Sequence, residues 1–340
     1  MTANKLRFGI IGAGRIGRVH AETLAFRLPQ AEITAIADVN HKAAEALAEH
    51  CNIPKVAESA GEIFADPNIG AVLICSSTDT HAQLIEQAAQ AGKHIFCEKP
   101  VSLSLEKIDR SLAAVEAAGV KLQVGFNRRF DSNFERVRQA VANGEIGKPY
   151  LMHIISRDPE PPPFSYLGPS GGLFLDMMIH DFDMARFLMG DEVEEVYAAA
   201  SVLVDPAFSK ADDFDTAVVV LHFRSGAIGT IDNSRKATFG YDQRAEILGS
   251  KGKITTENRY PNQVSISAAD RVYSDPPLNF FMQRYPESFA LELQAFTQAV
   301  LEDRPTLVTG ADSRLPVVMA LAARRSFDEH RPVRLDEVHA

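Results

Sequence analysis

The sequence predicts an α/β domain joined to an α+β domain: a doubly wound parallel sheet over residues 1–125, then a mainly antiparallel open sheet with helices on one face over residues 126–340. Three observations predict it. The chain has 340 residues, enough for two domains of ordinary size, each able to bury its own core. Up to residue 125, short apolar runs alternate with helical patterns, which is how βαβ units read. From about Pro149 the strand patterns follow one another instead.

In the first part the apolar runs are residues 6–11, 33–37, 71–75, 94–97 and 122–124. Residues 80–91 carry apolar side chains at helical spacing and are closed by Gly92. A further helix is expected to start near Ser104, a good N-cap residue. In the second part, residues 196–204, 217–223, 227–233, 244–248, 253–256 and 264–268 are predicted as successive antiparallel strands, with Arg224-Ser225-Gly226 as a hairpin connection. Helices are expected over residues 173–189, 288–301 and 313–327, the C-terminal one free to pack back on the first domain. Val218, Val220 and His222 alternate with Val219, Leu221 and Phe223, leaving both faces of that strand partly apolar. Helices cover one face of such a sheet, so the other predicts a homo-oligomer, a tetramer ahead of a dimer.

Composition narrows the partners. At 46% hydrophobic and 24% charged residues the chain reads as an ordinary globular protein, and a net charge of −10 opposes a general attraction to nucleic acid or anionic lipid. Met1-Thr2-Ala3-Asn4-Lys5 runs straight into the first strand with no secretory segment, and no apolar run is long enough to span a bilayer. A cytoplasmic protein is the expectation. Cys51, Cys75 and Cys97 are too few for a disulfide framework and form no CxxC pair; Cys75 and Cys97 read as small buried hydrophobes.

Gly12, Gly14 and Gly17 stand in GxGxxG spacing after the first strand and open a helix. The first glycine permits a tight turn, the second lets the backbone approach a pyrophosphate, and the third allows close helix packing. Free amides and the positive helix end then form an anion site. Asp38 ends the second strand 21 residues after Gly17, near the distance expected of an acid that binds the ribose hydroxyls of NAD and repels the extra phosphate of NADP. NAD is therefore the expected cofactor. Arg15, beside the turn, could soften that preference.

Two further stretches carry chemistry. Glu98 and Lys99 fall at the carboxyl end of a parallel strand, stopped by Pro100, where open α/β sheets place their ligands. Asp176, His180 and Asp183 stand at i, i+4 and i+7 on a helix whose other positions are mostly Leu, Met, Ile and Phe. Burying that surface would strand the polar stripe unless it faced a cleft, a metal or a partner. The stripe fits an acid/base pair with Asp176 orienting His180, a metal site lacking the second histidine or cysteine pair of a zinc set, or a hydrogen-bonded helix face of purely structural use. No metal is expected.

Together, the GIIGAGRIG opening, Glu98-Lys99-Pro100, Gly125-Phe126-Asn127-Arg128-Arg129-Phe130 and the helix from Asp176 to Asp183 resemble the Gfo/Idh/MocA oxidoreductases, and within them the bacterial inositol 2-dehydrogenases. The resemblance covers essentially the whole chain. It implies an N-terminal Rossmann domain, an NAD-dependent dehydrogenase acting on a CH–OH group, and oxidation of myo-inositol to 2-keto-myo-inositol by hydride transfer to nicotinamide C4. It also implies a catalytic trio of Lys99, Asp176 and His180. His180 would take the hydroxyl proton, Lys99 would hold the same oxygen, and Asp176 would steady the imidazole.

The same resemblance assigns Gly12, Gly14, Arg15, Ile16, Gly17, Asp38, Ser76, Ser77, Thr78, His81, Glu98 and Lys99 to the cofactor. It assigns Lys99, Arg129, Asp158, Asp176, His180, Asp183 and Tyr241 to a polyol or sugar substrate, with Arg128 facing the cofactor or a surface partner. A tyrosine flanked by charges, as Tyr241 is, is otherwise a surface residue. One stretch departs from the pattern: Ser156-Arg157-Asp158-Pro159 stands where inositol enzymes carry histidine and asparagine ligands, which would suit another ring, scyllo-inositol or a glucose-type pyranose. The stretch Pro161-Pro162-Pro163-Phe164-Ser165-Tyr166 that follows reads as a stiff loop bordering the pocket or as a connector. An NAD-binding sensor without turnover and a hydrolase with tightly held NAD are the readings from other classes.

Overall fold

A computed structural model describes residues 5–339. Residues 1–4, where the sequence predicts the absence of a leader, and residue 340 lie outside the described residues. The chain divides into two compact units, one reaching Phe130 and including Glu287–Leu315, the other comprising Asp131–Pro286 and Pro316–His339.

The first unit runs β1 (Leu6–Ile11), α1 (Arg15–Arg27), β2 (Ala31–Ala37), α2 (His41–Cys51), α3 (Ala60–Ala65), β3 (Ala71–Ile74), α4 (Thr78–Gln90), β4 (His94–Glu98), α5 (Leu105–Ala118) and β5 (Leu122–Gly125), with a 3-10 turn at Asn127–Phe130. The strands form one parallel sheet in the order β2-β1-β3-β4-β5. β3 and β5 are buried at every position, as strands covered by helices on both faces must be. Local chemistry sets the helix starts: the Asn40 side chain accepts from the Ala43 amide and Ser104 from the Lys107 amide, the latter cap predicted from sequence.

The second unit begins with α6 (Ser132–Ala142), β6 (Pro149–Arg157), α7 (Phe164–Ser170), a π-helical turn (Leu173–Met177) and α8 (Ile179–Met189). It continues through β7 (Val193–Ser201), α9 (Ala207–Lys210), β8 (Thr216–Phe223), β9 (Ile228–Ser234), β10 (Asp242–Gly249), β11 (Gly252–Thr256), β12 (Ser265–Ser267), β13 (Val272–Ser274) and α10 (Phe281–Arg284). The chain closes with α11 (Pro286–Leu301), α12 (Gly310–Glu329), β14 (Val333–Arg334) and a 3-10 turn.

Seven strands form the second sheet in the order β11-β10-β6-β9-β8-β7-β14. Every neighbouring pair is antiparallel except β6 with β9. The parallel pair joins β9 to β6, a strand outside the expected run: the chain leaves β6 through helices and a hairpin before β9 returns in the same direction, the long crossover a parallel pair requires. Residues 264–268 also do not join this sheet. They sit in the separate β12–β13 hairpin, whose positions are all exposed, so no buried face draws them in. On the inner face of the sheet Met152, Ile154, Val219, Leu221, Ile231, Ala245 and Ile247 are buried, with α8 packed on β6 and Ser326 of α12 accepting the Ala198 amide of β7. The outer face leaves Leu151, Tyr197, Val218, Ile228 and Leu248 exposed.

Two differences from the sequence reading concern helices. Residues 173–189 do not form one α-helix: the π-turn ends at Met177 and α8 starts at Ile179, since apolar periodicity does not register one extra residue in a turn. The unit boundary lies after Phe130, and Leu293 and Phe296 of α11 complete the first unit's core against Phe8 and Phe96. Periodicity shows that a helix has an apolar face, not which sheet it covers. Among the described residues no helix is long and apolar enough to cross a membrane.

Candidate active site

In the first unit the glycine turn has the shape its sequence requires. Gly12 has φ +108°, and a Cβ there would lie 2.5 Å from the Cys75 carbonyl. A Cβ on Gly17 would collide with the Gly12 carbonyl oxygen, whereas the space beside Gly14 is open, leaving a cradle that any side chain would fill. α1 starts behind it with no side chain capping its first amides. Asp38 accepts from the Ala13 amide at 2.6 Å and the Asn40 amide at 2.7 Å, so its carboxylate is fixed beside the turn. Arg15 is exposed and Ile16 packs against the core. These residues fit a dinucleotide: donors and an open cradle for the pyrophosphate, a fixed acid for the ribose.

Ser76, Ser77 and Thr78 follow β3, between the turn after β1 and Lys99 after β4, so all three segments leave the same edge of one sheet. The Ser76 hydroxyl bonds Thr80, and Ser77 is the uncapped N-cap of α4. His81 and Glu98 are placed differently from the sequence reading. His81 is 1% exposed, with its ring nitrogens 2.8 and 3.0 Å from the Pro100 and Ser76 carbonyl oxygens, so it braces the loops rather than facing a ligand. Glu98 turns into the core, where His20 Nε2 lies 2.6 Å from its Oε1. Lys99, the next residue, is partly buried. Arg129 is held by Asp312 at 3.1 Å, and the adjacent Arg128 is buried rather than facing a surface partner.

In the second unit Asp176 lies in the π-turn and His180 opens α8. Tyr166, from the proline-rich stretch, donates to Asp176 Oδ1 at 3.0 Å, and Arg235 donates to Oδ2 at 3.1 Å. Arg235 is 3% exposed and also lies 3.6 Å from Asp158. Burial disfavours its charge, yet Asp176 and Asp158 outweigh that and raise its pKa. The turn itself is tied down by Asp213, which accepts from the Leu173 amide at 2.8 Å. Gly172, at φ +77°, lies so close that a Cβ would meet the Asp213 carboxylate at 2.5 Å. Burial pushes the Asp213 carboxyl up, against the Leu173 and Phe214 amides and the charge of Arg235.

Asp183 is fully buried on α8, and its neighbour Asp181 accepts from the buried Asn233 at 3.0 Å. Tyr241 is 6% exposed, edge-on to Phe280 and Tyr285, which overturns a surface placement. Of the departing residues, Ser156 bonds Gln243 inside the sheet, Arg157 is engaged by Asp232 at 2.6 Å, and Asp158 lies beside Arg235, which bonds Asp176 in the π-turn. Sequence reasoning missed Arg235, Asp213 and Asn233. A buried aspartate on an apolar helix demanded a counter-charge, but that demand names no residue.

Comparison with known proteins matches both units. The family described as "Oxidoreductase family, NAD-binding Rossmann fold" matches residues 6–126, and the "GFO/IDH/MocA C-terminal domain" matches residues 134–255. The myo-inositol 2-dehydrogenase of Thermotoga maritima is 48% identical over 98% of this chain and 99% of its own. The inositol 2-dehydrogenase of Rhizobium meliloti is 46% identical over 97% and 99%. A crystal structure of scyllo-inositol dehydrogenase from Lactobacillus casei, with NAD(H) and scyllo-inositol bound, superposes with a TM-score of 0.90 at 29% identity, covering 98% of this chain and 99% of that one. With an NAD-binding turn in one unit and a matched second domain in the other, this chain belongs to the Gfo/Idh/MocA oxidoreductase family.

Proposed function

We infer that this protein is an NAD-dependent inositol 2-dehydrogenase, oxidising myo-inositol to 2-keto-myo-inositol. The observation that carries the reading is Lys99 at the end of β4, on the same sheet edge as a glycine turn with its ribose acid already fixed. Relatives at 46–48% identity that are named for inositol oxidation support the substrate.

Bound NAD supplies the hydride acceptor. The uncapped first amides of α1 and the open cradle at Gly14 would hold its pyrophosphate, and Asp38 its ribose hydroxyls. His180 removes the proton from the reacting hydroxyl, and the Lys99 ammonium donates to that oxygen as negative charge develops on it. Asp176 acts through His180, steadying the ring. A carboxylate has about four acceptor positions, so bonds from Tyr166 and Arg235 leave room for an imidazole donor. Arg129, Asp158, Asp183 and Tyr241 are the candidates for the remaining hydroxyls.

The test is NADH formation from purified protein offered inositol stereoisomers and aldoses. Myo-inositol is expected to be oxidised fastest. A faster aldose would make the protein a pyranose dehydrogenase, NAD binding without turnover would make it a sensor, and release of a glycosidic leaving group without net NADH would make it a hydrolase.

We also read the outer face of the second sheet as covered by a second copy in a homo-oligomer, a tetramer ahead of a dimer, and the protein as cytoplasmic. Support for the first is that Leu151 and Ile228 are register partners on neighbouring strands and both exposed. For the second, the three cysteines are free and buried. Leu151→Asp with Ile228→Asp is expected to reduce the mass seen by sedimentation equilibrium; an unchanged mass would place the interface elsewhere.

A further inference from the structure

The wall behind Tyr241 is built on a buried ion pair that the mechanism does not use. Asp131, the N-cap of α6, is 1% exposed and accepts from the Asn133 and Phe134 amides. Arg284 of α10, 2% exposed, donates to both oxygens of the same carboxylate, the longer bond at 3.3 Å. A second arginine, Arg259, lies 3.6 Å from that carboxylate and donates to the Ser132 hydroxyl. A buried pair of this kind costs desolvation that apolar side chains of equal volume avoid, so stability alone does not account for it.

We propose that Asp131 and Arg284 are positioning residues for Tyr241: they hold the aromatic wall against which its ring is set, and so fix where its hydroxyl meets the substrate. The proposal rests on the reading of Tyr241 as a ligand of a substrate hydroxyl. Two paths of contact run from Asp131 to Tyr241, both inside the second unit. Along the first, the Arg284 guanidinium covers the Tyr285 ring at 4.7 Å, and Tyr285, 1% exposed, stands edge-on to Tyr241 with centroids 6.1 Å apart at 87°. Along the second, the Arg259 carbonyl accepts from the Leu278 amide at 2.9 Å, and the Leu278 carbonyl accepts from the Tyr241 amide at 3.1 Å.

A further edge-on neighbour of Tyr241 is Phe280, at 6.1 Å, itself packed on Phe281 at 4.5 Å. Gly240, at φ +127°, lets the main chain pass close by: a Cβ there would lie 3.0 Å from the Pro277 carbonyl oxygen. Held at its amide and against two rings, the Tyr241 side chain keeps one orientation, and only the rotor of its hydroxyl stays free to meet an acceptor or a donor. Arginine suits the place beneath Tyr285 because its flat guanidinium can lie on a ring while its fork engages a carboxylate.

The test is turnover of the purified protein with NAD and the ring it oxidises fastest, measured for Tyr241→Phe, for the pair Asp131→Asn with Arg284→Met, and for all three substitutions together. The pair removes both charges at once and asparagine still caps α6, so no buried charge is stranded and the melting temperature should stay near that of the parent. Tyr241→Phe loses one neutral hydrogen bond, for which KM should rise about 3- to 10-fold with a smaller change in kcat. The pair should raise KM by a comparable factor. The triple variant should go no more than about twofold beyond Tyr241→Phe, because residues that act through one group are not additive. An unchanged KM in the pair would overturn the proposal. So would effects that multiply in the triple variant, which would give the ion pair a role apart from Tyr241. If the pair does not fold, Arg284→Lys, which keeps a cation opposite Asp131 and gives up the flat stack on Tyr285, carries the same expectation and the same refutation. An unchanged KM in Tyr241→Phe removes the tyrosine from the substrate, and the proposal with it, while the reading of Lys99 stands; a parent that oxidises no ring sinks the dehydrogenase reading and the proposal together.

Discussion

Lys99→Met and His180→Ala are each expected to lower turnover with inositol at least about a hundredfold, the range for groups that move or stabilise a proton in the transition state. Methionine matches the lysine stem in length and removes only the charged head, so a partly buried Lys99 is replaced without opening a cavity. Neither change touches Gly12, Gly14 or the Asp38 carboxylate fixed on the Ala13 amide, so NAD affinity, read by quenching or calorimetry, should stay within about threefold, under 1 kcal/mol. The loss should fall on kcat more than on KM, because Lys99 meets its full charge partner only as the oxygen becomes negative. Full turnover in either variant would remove that residue from the chemistry; lost NAD affinity would mean the substitution had disturbed the nucleotide turn instead.

What the sequence disclosed depended on whether one residue's neighbours are local. The glycine turn was legible because its constraints lie within a few residues: a Cβ at position 12 or 17 meets backbone, and Asp38 follows at the next strand end. Ser104 and Gly92 announced helix ends for the same reason. The stretch over residues 173–189 was legible as apolar with a polar stripe, but not as a π-turn followed by a helix, because the pattern of apolar residues tolerates the extra one. Partners brought from far along the chain left no local mark. Arg235 is 59 residues from Asp176 and Glu98 is 78 from His20, and each stands in a stretch whose pattern is satisfied without its partner. The central parallel pair, β6 with β9, is of this kind too, since strand direction is fixed by the crossover and not by the strand's own residues.

Arg235 sets the second large expectation. Its guanidinium lies between Asp176 and Asp158 at 3.1 and 3.6 Å, with Asp213 also acting on its charge, and it is 3% exposed. Removing it by Arg235→Met leaves a cluster of carboxylates without their buried counter-charge, a change that costs about 3–5 kcal/mol when one partner of a buried pair is deleted. Turnover should fall with it, since Asp176 loses the donor that fixes Oδ2. Asp176→Asn in the same background gives an amide that needs no counter-charge, so the double variant should regain part of the stability and none of the turnover. If both returned, Asp176 would serve the fold alone. The penalty should also depend on pH with a definite sign. The Asp213 carboxyl is already pushed up by burial, and without Arg235 it rises further. A carboxyl with a raised folded value destabilises most where it would otherwise ionise, so the deficit of Arg235→Met in chemical denaturation should be larger near about pH 8 than near about pH 5. An equal deficit at both would mean that Arg235 contributes its packing and hydrogen bonds rather than its charge.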